Sequence, residues 1–139
     1  MKRNVPVRTV MSTELRTVNL TDKVSDVRRL LAQHAFHHVP VVSGRKLVGM
    51  ISATDMVKLS LSAYGADQRA VDAMLDHEFT IEEVMVKDLH TLGAGRTVRE
   101  AAEMLGEGTY HSLPVVSDAN ELVGMITSTD IIRYLVDQY

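Results

Sequence analysis

The nine residues from Leu47 to Asp55 occur twice in this chain, and this duplication constrains the fold more than any other feature. The first copy reads LVGMISATD and the second, from Leu122 to Asp130, reads LVGMITSTD, so seven of the nine positions are identical. One of the two differences exchanges serine for threonine and therefore keeps the hydroxyl group. A repeat of fixed period predicts two copies of one supersecondary unit.

The duplication extends upstream of these nine residues at an offset of 74. Val10-Met11 matches Val84-Met85, and the segment from His37 to Ser43 matches the segment from His111 to Ser117 at five of seven positions. The offset becomes 75 because the turn before Leu122 is one residue longer. Surface turns tolerate such a change at small entropic cost. We therefore predict two lobes, each ordered strand, helix, strand, strand, helix.

Apolar spacing and capping residues place the helices. Apolar residues three and four apart predict a helix over residues 22–34, beginning at Thr21-Asp22. Ser52 and Thr127 are expected to begin the second helix of each lobe, and Thr97 with Glu100 forms a capping-box sequence before the helix between them. A connector helix is expected over residues 66–75, whereas residues 1–9 form an arm or a first strand.

A lobe with one small sheet and two helices would expose an apolar sheet face if it stood alone. Two such lobes can bury those faces against each other. We therefore predict an α+β fold in which two repeats pack sheet to sheet with pseudo-twofold symmetry. The expected boundaries are a first repeat over residues 1–62, a helical connector over 63–83 and a second repeat over 84–139.

Composition excludes several classes of protein. A chain of 139 residues is one ordinary domain or two small ones that share a core. It contains no cysteine, which excludes disulfides, thiol nucleophiles and zinc–thiolate sites. No apolar run approaches the roughly 20 residues of a membrane-spanning helix, and no secretory signal is evident. The net charge of −3 argues against non-specific nucleic-acid binding. We expect a cytoplasmic protein.

The two strand-to-helix junctions, Ser52-x-x-Asp55 and Thr127-x-x-Asp130, allow two interpretations. In the first, each is a helix capping box, in which the hydroxyl accepts from a backbone N–H and the carboxylate reaches back. In the second, the helix N-terminus favours a phosphate and the fixed carboxylate accepts both hydrogen bonds of a ribose diol. Gly49 and Gly124 would let such a ligand approach the backbone. The two interpretations are compatible.

These features together resemble a tandem cystathionine-β-synthase (CBS) domain pair, also called a Bateman module. The resemblance covers about residues 10–137 and depends on the Val-Met opening, the His-x-x-Pro-Val-Val strand and the Gly-x-x-(Ser/Thr)-x-x-Asp junction, each present twice. It implies a regulatory module that binds AMP, ADP, ATP or a related adenosine ligand between the lobes, without cofactor or catalysis. It also implies a disc-shaped homodimer that signals to an unknown protein partner by conformational change.

The resemblance implies two crossed clefts, each taking residues from both lobes. The cleft of Asp130 would use Met125, Thr127, Thr129, His111 and Ser112 of its own lobe, and Leu15, Arg16, Phe36, His37 and His38 of the first. The cleft of Asp55 would use Met50, Ser52, Thr54, His37 and His38 of its own lobe, and Leu89, His90, Tyr110, His111 and Ser112 of the second.

Two further cations and one departure bear on phosphate binding. Lys58 and Arg133 follow their aspartates by one turn, where they either contact phosphate or are ordinary solvated residues. Many nucleotide-binding members carry a basic residue just before the x-Pro dipeptide, where this chain has His38 and Ser112. The cleft of Asp55 is therefore expected to bind phosphate better.

Other functions are weaker interpretations of this sequence. His34, His37 and His38 have helical spacing, but the last two enter a predicted strand, so we expect no metal site. No nucleophile elbow, P-loop or dinucleotide fingerprint occurs. Asp55 and Asp130 occupy equivalent places, whereas acid–base pairs need different environments. We expect no enzyme activity. A dimerisation module with vestigial clefts and a nucleic-acid binder remain the alternatives.

Overall fold

The computed structural model describes residues 4–34, 37–63 and 65–139. Over these residues the chain forms two three-stranded sheets and six α-helices, which confirms the α+β class and its duplication. Its contacts divide the chain into two compact units. We name Arg16–Leu89 the first-repeat unit, and the residues up to Leu15 together with His90–Tyr139 the second-repeat unit. The opening segment thus belongs with the second repeat. The sequence-derived boundaries instead follow chain order, and they stay a prediction.

The first-repeat unit follows the predicted strand, helix, strand, strand, helix order and adds two connector helices. Strand β1 runs parallel to β2, as the α1 crossover between them allows, and β2 is antiparallel to β3. The elements are β1 (Val18–Asn19), α1 (Val24–Gln33), β2 (His38–Ser43), β3 (Lys46–Ser52), α2 (Ala53–Ser60), α3 (Gln68–Glu78) and α4 (Ile81–Val84).

The second-repeat unit has the same order and the same strand directions. Its elements are β4 (Leu92–Gly93), α5 (Val98–Gly106), β5 (Ser112–Val116), β6 (Leu122–Thr127) and α6 (Ser128–Asp137). Residues 1–9 were expected to form an arm or a strand, but Val7–Thr9 form a short 3-10 helix. The Val7 side chain is fully buried in this unit, and its N–H donates to the carbonyl of Arg96 at 2.9 Å.

The register is repeated as closely as the sequence. Val41 pairs with Gly49 and Val115 with Gly124, and each hairpin has its irregularity one residue later. Pro40 lies opposite Met50, one residue before the stretch of β2 that pairs with β1. Its missing N–H therefore leaves no gap in the ladder, in line with the preference of proline for unpaired strand positions.

Each unit has its own apolar core. Val27, Val39 and Ile51 are fully buried in the first, and Leu113 and Ile126 in the second. Connector helix α3 also contributes to the first core, because its Leu75 is fully buried there. None of the described helices is long and apolar enough to cross a membrane.

Helix α1 begins at Val24 rather than at Thr21-Asp22, so the predicted start is wrong by two residues. The Asp22 carboxylate instead accepts from the N–H of Asn19 at 2.8 Å and closes a turn. Asp26 accepts from the N–H of Lys23 at 2.9 Å, and this hydrogen bond lowers the pKa of Asp26 below its ordinary value. The N-cap residue of α1, Lys23, is therefore held by a carboxylate from the first turn of the helix itself.

A second carboxylate reaches the start of α1 from α3. Asp76 accepts from both the N–H (2.9 Å) and the hydroxyl (2.6 Å) of Ser25, which is only 1% exposed. Asp72 of α3 also pairs with Arg28 of α1. Connector helix α3 therefore contacts α1 through hydrogen bonds and an ion pair, and it also packs into the core through Leu75.

Candidate functional site

The capping interpretation of the two junctions is confirmed. The N–H of Asp55 donates to Ser52 Oγ at 3.0 Å, and the N–H of Ser52 donates to Asp55 Oδ2 at 3.4 Å. In the second-repeat unit the corresponding distances, between Thr127 and Asp130, are 3.1 Å and 2.9 Å. Both boxes are complete, and the second has the shorter bond from backbone to carboxylate.

Each helix start keeps one backbone donor uncommitted. The first helical N–H is used, since Ala53 donates to the carbonyl of His37 at 2.8 Å and Ser128 to that of His111 at 2.9 Å. The third helical N–H, that of Asp55 or Asp130, donates to the capping hydroxyl. In the described part of the chain no group accepts from the N–H of Thr54 or Thr129. These two N–H groups lie at the positive end of a helix dipole, where an anion is favoured.

Each capping carboxylate also keeps an oxygen uncommitted. The cap uses Oδ2 of Asp55 and of Asp130, and no described residue donates to either Oδ1. Both residues are half-buried, so the carboxylates are fixed yet reachable. One junction thus offers an N–H donor and a carboxylate acceptor within one helical turn. This is the donor and acceptor set that a phosphate and a sugar hydroxyl need.

The two junction glycines have a role different from the one the sequence suggested. A Cβ on Gly49 would lie 2.8 Å from Met85 Cγ, and a Cβ on Gly124 would lie 2.5 Å from Met11 Sδ. The space beside each glycine is therefore filled by the methionine of a Val-Met segment. The expectation that a ligand approaches the backbone there is wrong on this face of the strand, because a side chain already occupies it.

Neighbouring strands bring the pre-proline residues to the junctions. His38 pairs with Ser52 across β2 and β3, and Ser112 pairs with Thr127 across β5 and β6. His37, the residue before β2, is exposed. The first junction thus has two imidazoles at its edge, whereas the second has one, from His111, and the Ser112 hydroxyl in place of the other.

The predicted site residues are distributed over both units. Phe36 lies outside the described residues. The first-repeat unit holds Arg16, His37, His38, Met50, Ser52, Thr54, Asp55, Lys58 and Leu89. The second-repeat unit holds Leu15, His90, Tyr110, His111, Ser112, Met125, Thr127, Thr129, Asp130 and Arg133.

Two of these residues form an aromatic contact within the second-repeat unit. The rings of His90 and Tyr110 have centroids 4.5 Å apart and are tilted by 34°. Both rings belong to segments that lead into strands, His90 before β4 and Tyr110 before β5, which are parallel neighbours. The resemblance placed both residues in the cleft of Asp55, but nothing in the sequence indicated that their rings contact each other.

We also searched the described residues for a metal site and for grooves away from the two junctions. Over the described residues no group of three His, Asp or Glu side chains could hold a metal ion. Two open grooves lie away from the capping carboxylates. One, of about 380 Å³, runs between α1 and α2, and the other, of about 430 Å³, lies beside Leu92, Arg96 and Glu103. Sequence reasoning found neither groove.

Comparison with known protein families also finds a repeat in this chain. The model of the CBS domain matches residues 7–62 and again residues 81–137. The chain therefore belongs to the CBS domain family and contains the domain twice. Helix α3 lies between the two matched segments.

The relatives are mostly longer proteins. The chain is 32% identical over 115 residues to inosine-5′-monophosphate dehydrogenase of Korarchaeum cryptofilum, covering 83% of this chain and 21% of that protein. It is 30% identical over 114 residues to protein MJ1225 of Methanocaldococcus jannaschii, covering 81% and 41%. The chain thus spans less than half the length of these curated relatives.

Solved structures of similar length share the fold. The CBSX2 protein in complex with AMP is 21% identical, with a TM-score of 0.79 over 96% of this chain and 98% of that one. The CBS domain pair of protein MJ0100, in complex with 5′-methylthioadenosine and S-adenosyl-L-methionine, is 25% identical, with a TM-score of 0.75 over 99% and 100%.

Proposed function

We propose that this chain is a regulatory module that binds AMP, ADP, ATP or a related adenosine ligand at its two strand-to-helix junctions. The observation that carries the proposal is the uncommitted pair at each junction, a carboxylate oxygen of Asp55 or Asp130 and the N–H of Thr54 or Thr129. The adenosine compounds bound to the similar MJ0100 domain pair support the ligand class.

The proposed contacts follow from the chemistry of each group. The carboxylates of Asp55 and Asp130 accept the ribose hydroxyls, and the helix starts bind phosphate. His37 and His38 border the phosphate at the first junction, and Lys58 and Arg133, each one turn after its aspartate, add positive charge. The other predicted contacts, for which we propose a role at the base or the rim of each cleft, are Leu15, Arg16, Phe36, Met50, Leu89, His90, Tyr110, His111, Ser112 and Met125.

The proposed output is a change in affinity for a protein partner. Such a change requires that the ligand binds two arrangements of the module with different affinity. We assign no reaction to this chain and no cofactor. The matched enzymes are far longer than the region they share with it. The cytoplasmic location stays a prediction.

A specific observation also favours self-association. Helices α2 and α6 expose apolar side chains at matching positions, with Val57 60% and Ile132 59% exposed. Exposed apolar stripes on one helix face are typical of association surfaces. We therefore propose a homodimer. A module that only associates, without ligand, is the alternative function.

Ligand-induced thermal stabilisation tests the proposal. A ligand present at 100 times its dissociation constant stabilises the folded state by about 2.7 kcal/mol, a shift of several degrees in melting temperature. We expect this shift with at least one of AMP, ADP, ATP or S-adenosylmethionine, and a smaller one with GMP. No shift with any adenosine compound would leave only the association function.

The matched variant is Asp55→Asn with Asp130→Asn. Asp55 and Asp130 are the third residues of their helices, and an asparagine amide oxygen there can still accept from the N–H of Ser52 or Thr127, so the ligand-free melting temperature should change little. The charge and one acceptor are lost from each junction, so ligand stabilisation should disappear. Asp118→Asn, in the exposed turn before Leu122, is the control for loss of one carboxylate. The two single variants then report how many junctions are occupied.

A further inference from the structure

A methionine side chain fills the space beside the glycine of each junction. Met85 lies beside Gly49 in the first-repeat unit, and Met11 lies beside Gly124 in the second. A Cβ on Gly124 would lie 2.5 Å from the Sδ of Met11 and 3.0 Å from its Cε. The thioether end of Met11 is therefore packed against strand β6.

The methionines of the two junctions differ in their exposure to solvent. Met85 and Met50 in the first-repeat unit are buried, with 9% and 8% of their surface exposed. Met11 and Met125 occupy the matching positions in the second-repeat unit, and both are partly exposed. A thioether has no ionisable form, so access of the oxidant decides which methionine reacts. An oxidant in solution therefore reaches the second junction more easily than the first.

The residue after Met11 is hydrogen-bonded to the strand of the second junction. The N–H of Ser12 donates to the carbonyl of Met125 at 2.8 Å, and the N–H of Met125 donates to the carbonyl of Ser12 at 2.9 Å. This isolated bridge lies at the free edge of the sheet, because β6 pairs on its other side with β5. The same segment leads to Leu15. Met11 thus fixes a segment that bonds one proposed ligand contact, Met125, and leads to another.

We propose that Met11 is an oxidation site, at which hydrogen peroxide or a related peroxide converts the thioether to a sulfoxide and thereby opens the bridge between Ser12 and Met125. The O–O bond of the peroxide breaks, one oxygen bonds to Sδ, and the other leaves as water with both protons. The sulfur loses two electrons and the peroxide gains them, so no further reactant is needed. A loss of ligand affinity at the second junction follows, and this consequence alone rests on the proposed function.

A sulfoxide does not fit the place where the thioether lies. Oxidation turns a flexible apolar group into a polar one with an acceptor oxygen. Gly124 has no side chain that could donate to this oxygen, and the core cluster against which Met11 packs consists of apolar side chains. Because a polar atom buried without a donor is costly, the oxidised side chain turns toward water. The backbone of Met11 and Ser12 then loses the contact that holds it beside β6.

Met125 is the second partly exposed methionine of this junction. It follows Gly124 directly in β6, so its side chain projects from the opposite face of the strand. Oxidation of Met125 would therefore change a proposed ligand contact without removing Met11 from beside the glycine. Variants of Met11 separate the two effects.

Peptide mapping by mass spectrometry, after treatment with increasing amounts of hydrogen peroxide, tests the order of oxidation. We expect the sulfoxide of Met11 to form at least roughly fivefold faster than that of Met85, because only Met11 is partly exposed. Met104, partly exposed on α5, is the internal reference for an accessible methionine away from the junctions. Equal rates for Met11 and Met85 would contradict the assignment of Met11 as the oxidation site.

Hydrogen exchange tests whether oxidation opens the bridge. Peroxide should raise exchange at the amides of Ser12 and Met125, and methionine sulfoxide reductase with dithiothreitol should restore their protection. Leucine keeps the apolar character and nearly the volume of methionine, so Met11→Leu should fold normally and resist the effect of peroxide. The matched control, Met85→Leu, should respond as the unmodified chain does. An equal rise in the Met11→Leu variant would overturn the proposal, because another methionine would then be responsible.

AMP binding tests the consequence for the ligand. It is measured in the Asp55→Asn background, which leaves the second junction as the proposed site. Peroxide should lower the affinity for AMP roughly tenfold, the size expected when one hydrogen bond is lost, and Met11→Leu should prevent this loss. If the untreated chain binds no adenosine compound, the proposed function fails, and the exchange at Ser12 and Met125 still decides whether oxidation opens the bridge. An unchanged affinity after complete oxidation of Met11 would contradict the coupling of the bridge to the ligand site.

Discussion

The two repeat units share the bonds that shape their strand-to-helix junctions and differ in how their first helices begin. In both units a hydroxyl and an aspartate cap the helix that follows the strand pair, α2 or α6, and a methionine fills the space beside a glycine. Helix α5 is capped by its own Thr97, whose Oγ1 accepts from the N–H of Glu100 at 3.2 Å. Helix α1 has Lys23 at that position and takes its second acceptor from Asp76 of α3.

This contrast between junctions and first helices shows which local structures need particular residues. The junctions need a fixed hydrogen-bond geometry, and both copies keep it. The first helices need only some acceptor for their free N–H groups, and the two copies supply it by different means. The first-repeat unit thereby depends on a connector helix that has no counterpart in the other unit.

The largest expected effect comes from the glycine–methionine contacts, and it should differ between the units. Gly49→Ala places a methyl group against Met85 Sδ, 2.8 Å from its Cγ and 3.1 Å from its Cβ, which is fixed to the backbone and cannot move away. Gly124→Ala meets Met11 Sδ at 2.5 Å and its Cε and Cγ at 3.0 Å, and the Cβ of Met11 is not among these nearest atoms. Overpacking costs about 1–3 kcal/mol. We expect Gly49→Ala near the top of that range and Gly124→Ala near the bottom, by urea denaturation.

Two controls make this prediction specific. Gly95→Ala meets no atom within 4 Å, so its free energy of unfolding should change by less than about 0.5 kcal/mol. Met85→Ala should cost less in the Gly49→Ala background than in the unmodified chain, because the two side chains compete for one space. Equal costs in both backgrounds would mean that the methionine does not occupy that space.

The next effect tests the dependence of α1 on the connector helix. Asp76→Ala removes both acceptors of Ser25, whose N–H and hydroxyl are buried, at a cost of about 1–2 kcal/mol. Thr97→Ala removes the internal cap of α5 and should cost about 1 kcal/mol. Glu78→Ala, exposed at the end of α3, is the matched control and should be near neutral.

Hydrogen exchange locates each loss. Asp76→Ala should raise exchange in α1 and α3, and Thr97→Ala should raise it in α5. If Asp76→Ala is as mild as Glu78→Ala, the connector helix does not stabilise α1 through this carboxylate. The two units would then be more alike than their hydrogen bonds indicate.

Local sequence signals predicted the elements that local bonds determine. The starts of α2 and α6 were predicted because hydroxyl and carboxylate lie three residues apart and act on each other. Helix α5 ends at Gly106, and Gly108, two residues later, has a positive φ of 82°, which is typical of glycines after helix ends. The missed helix α4 also had a readable signal, since Thr80 and Glu83 form the same box spacing.

Contacts between distant residues were not readable in this way. Nothing near Ser25 predicts that its partner is Asp76, 51 residues away. Met11 gives no local sign that it packs beside Gly124, so the glycine was assigned to a ligand. The groove between α1 and α2 was missed because its lining comes from two helices that two strands separate in the chain.

The smallest expected effect is a pH dependence confined to the first-repeat unit. The N–H of Lys23 and then the guanidinium of Arg29, 2.8 Å away, hold the pKa of Asp26 below its ordinary value of 3.8. A carboxylate with a lowered pKa in the folded state stabilises the protein above pH 4, and this contribution is lost as the pH falls through the folded pKa. Asp26→Asn should therefore be less stable than the unmodified chain at pH 7, and the deficit should shrink at pH 3. Because the Asp26 side chain is 41% exposed, solvent screening limits the deficit to a few tenths of a kcal/mol. High salt should reduce the stability deficit of the variant at pH 7 further. A deficit that is equal at both pH values would instead mean that the shape of the Asp26 side chain, and not its charge, is responsible.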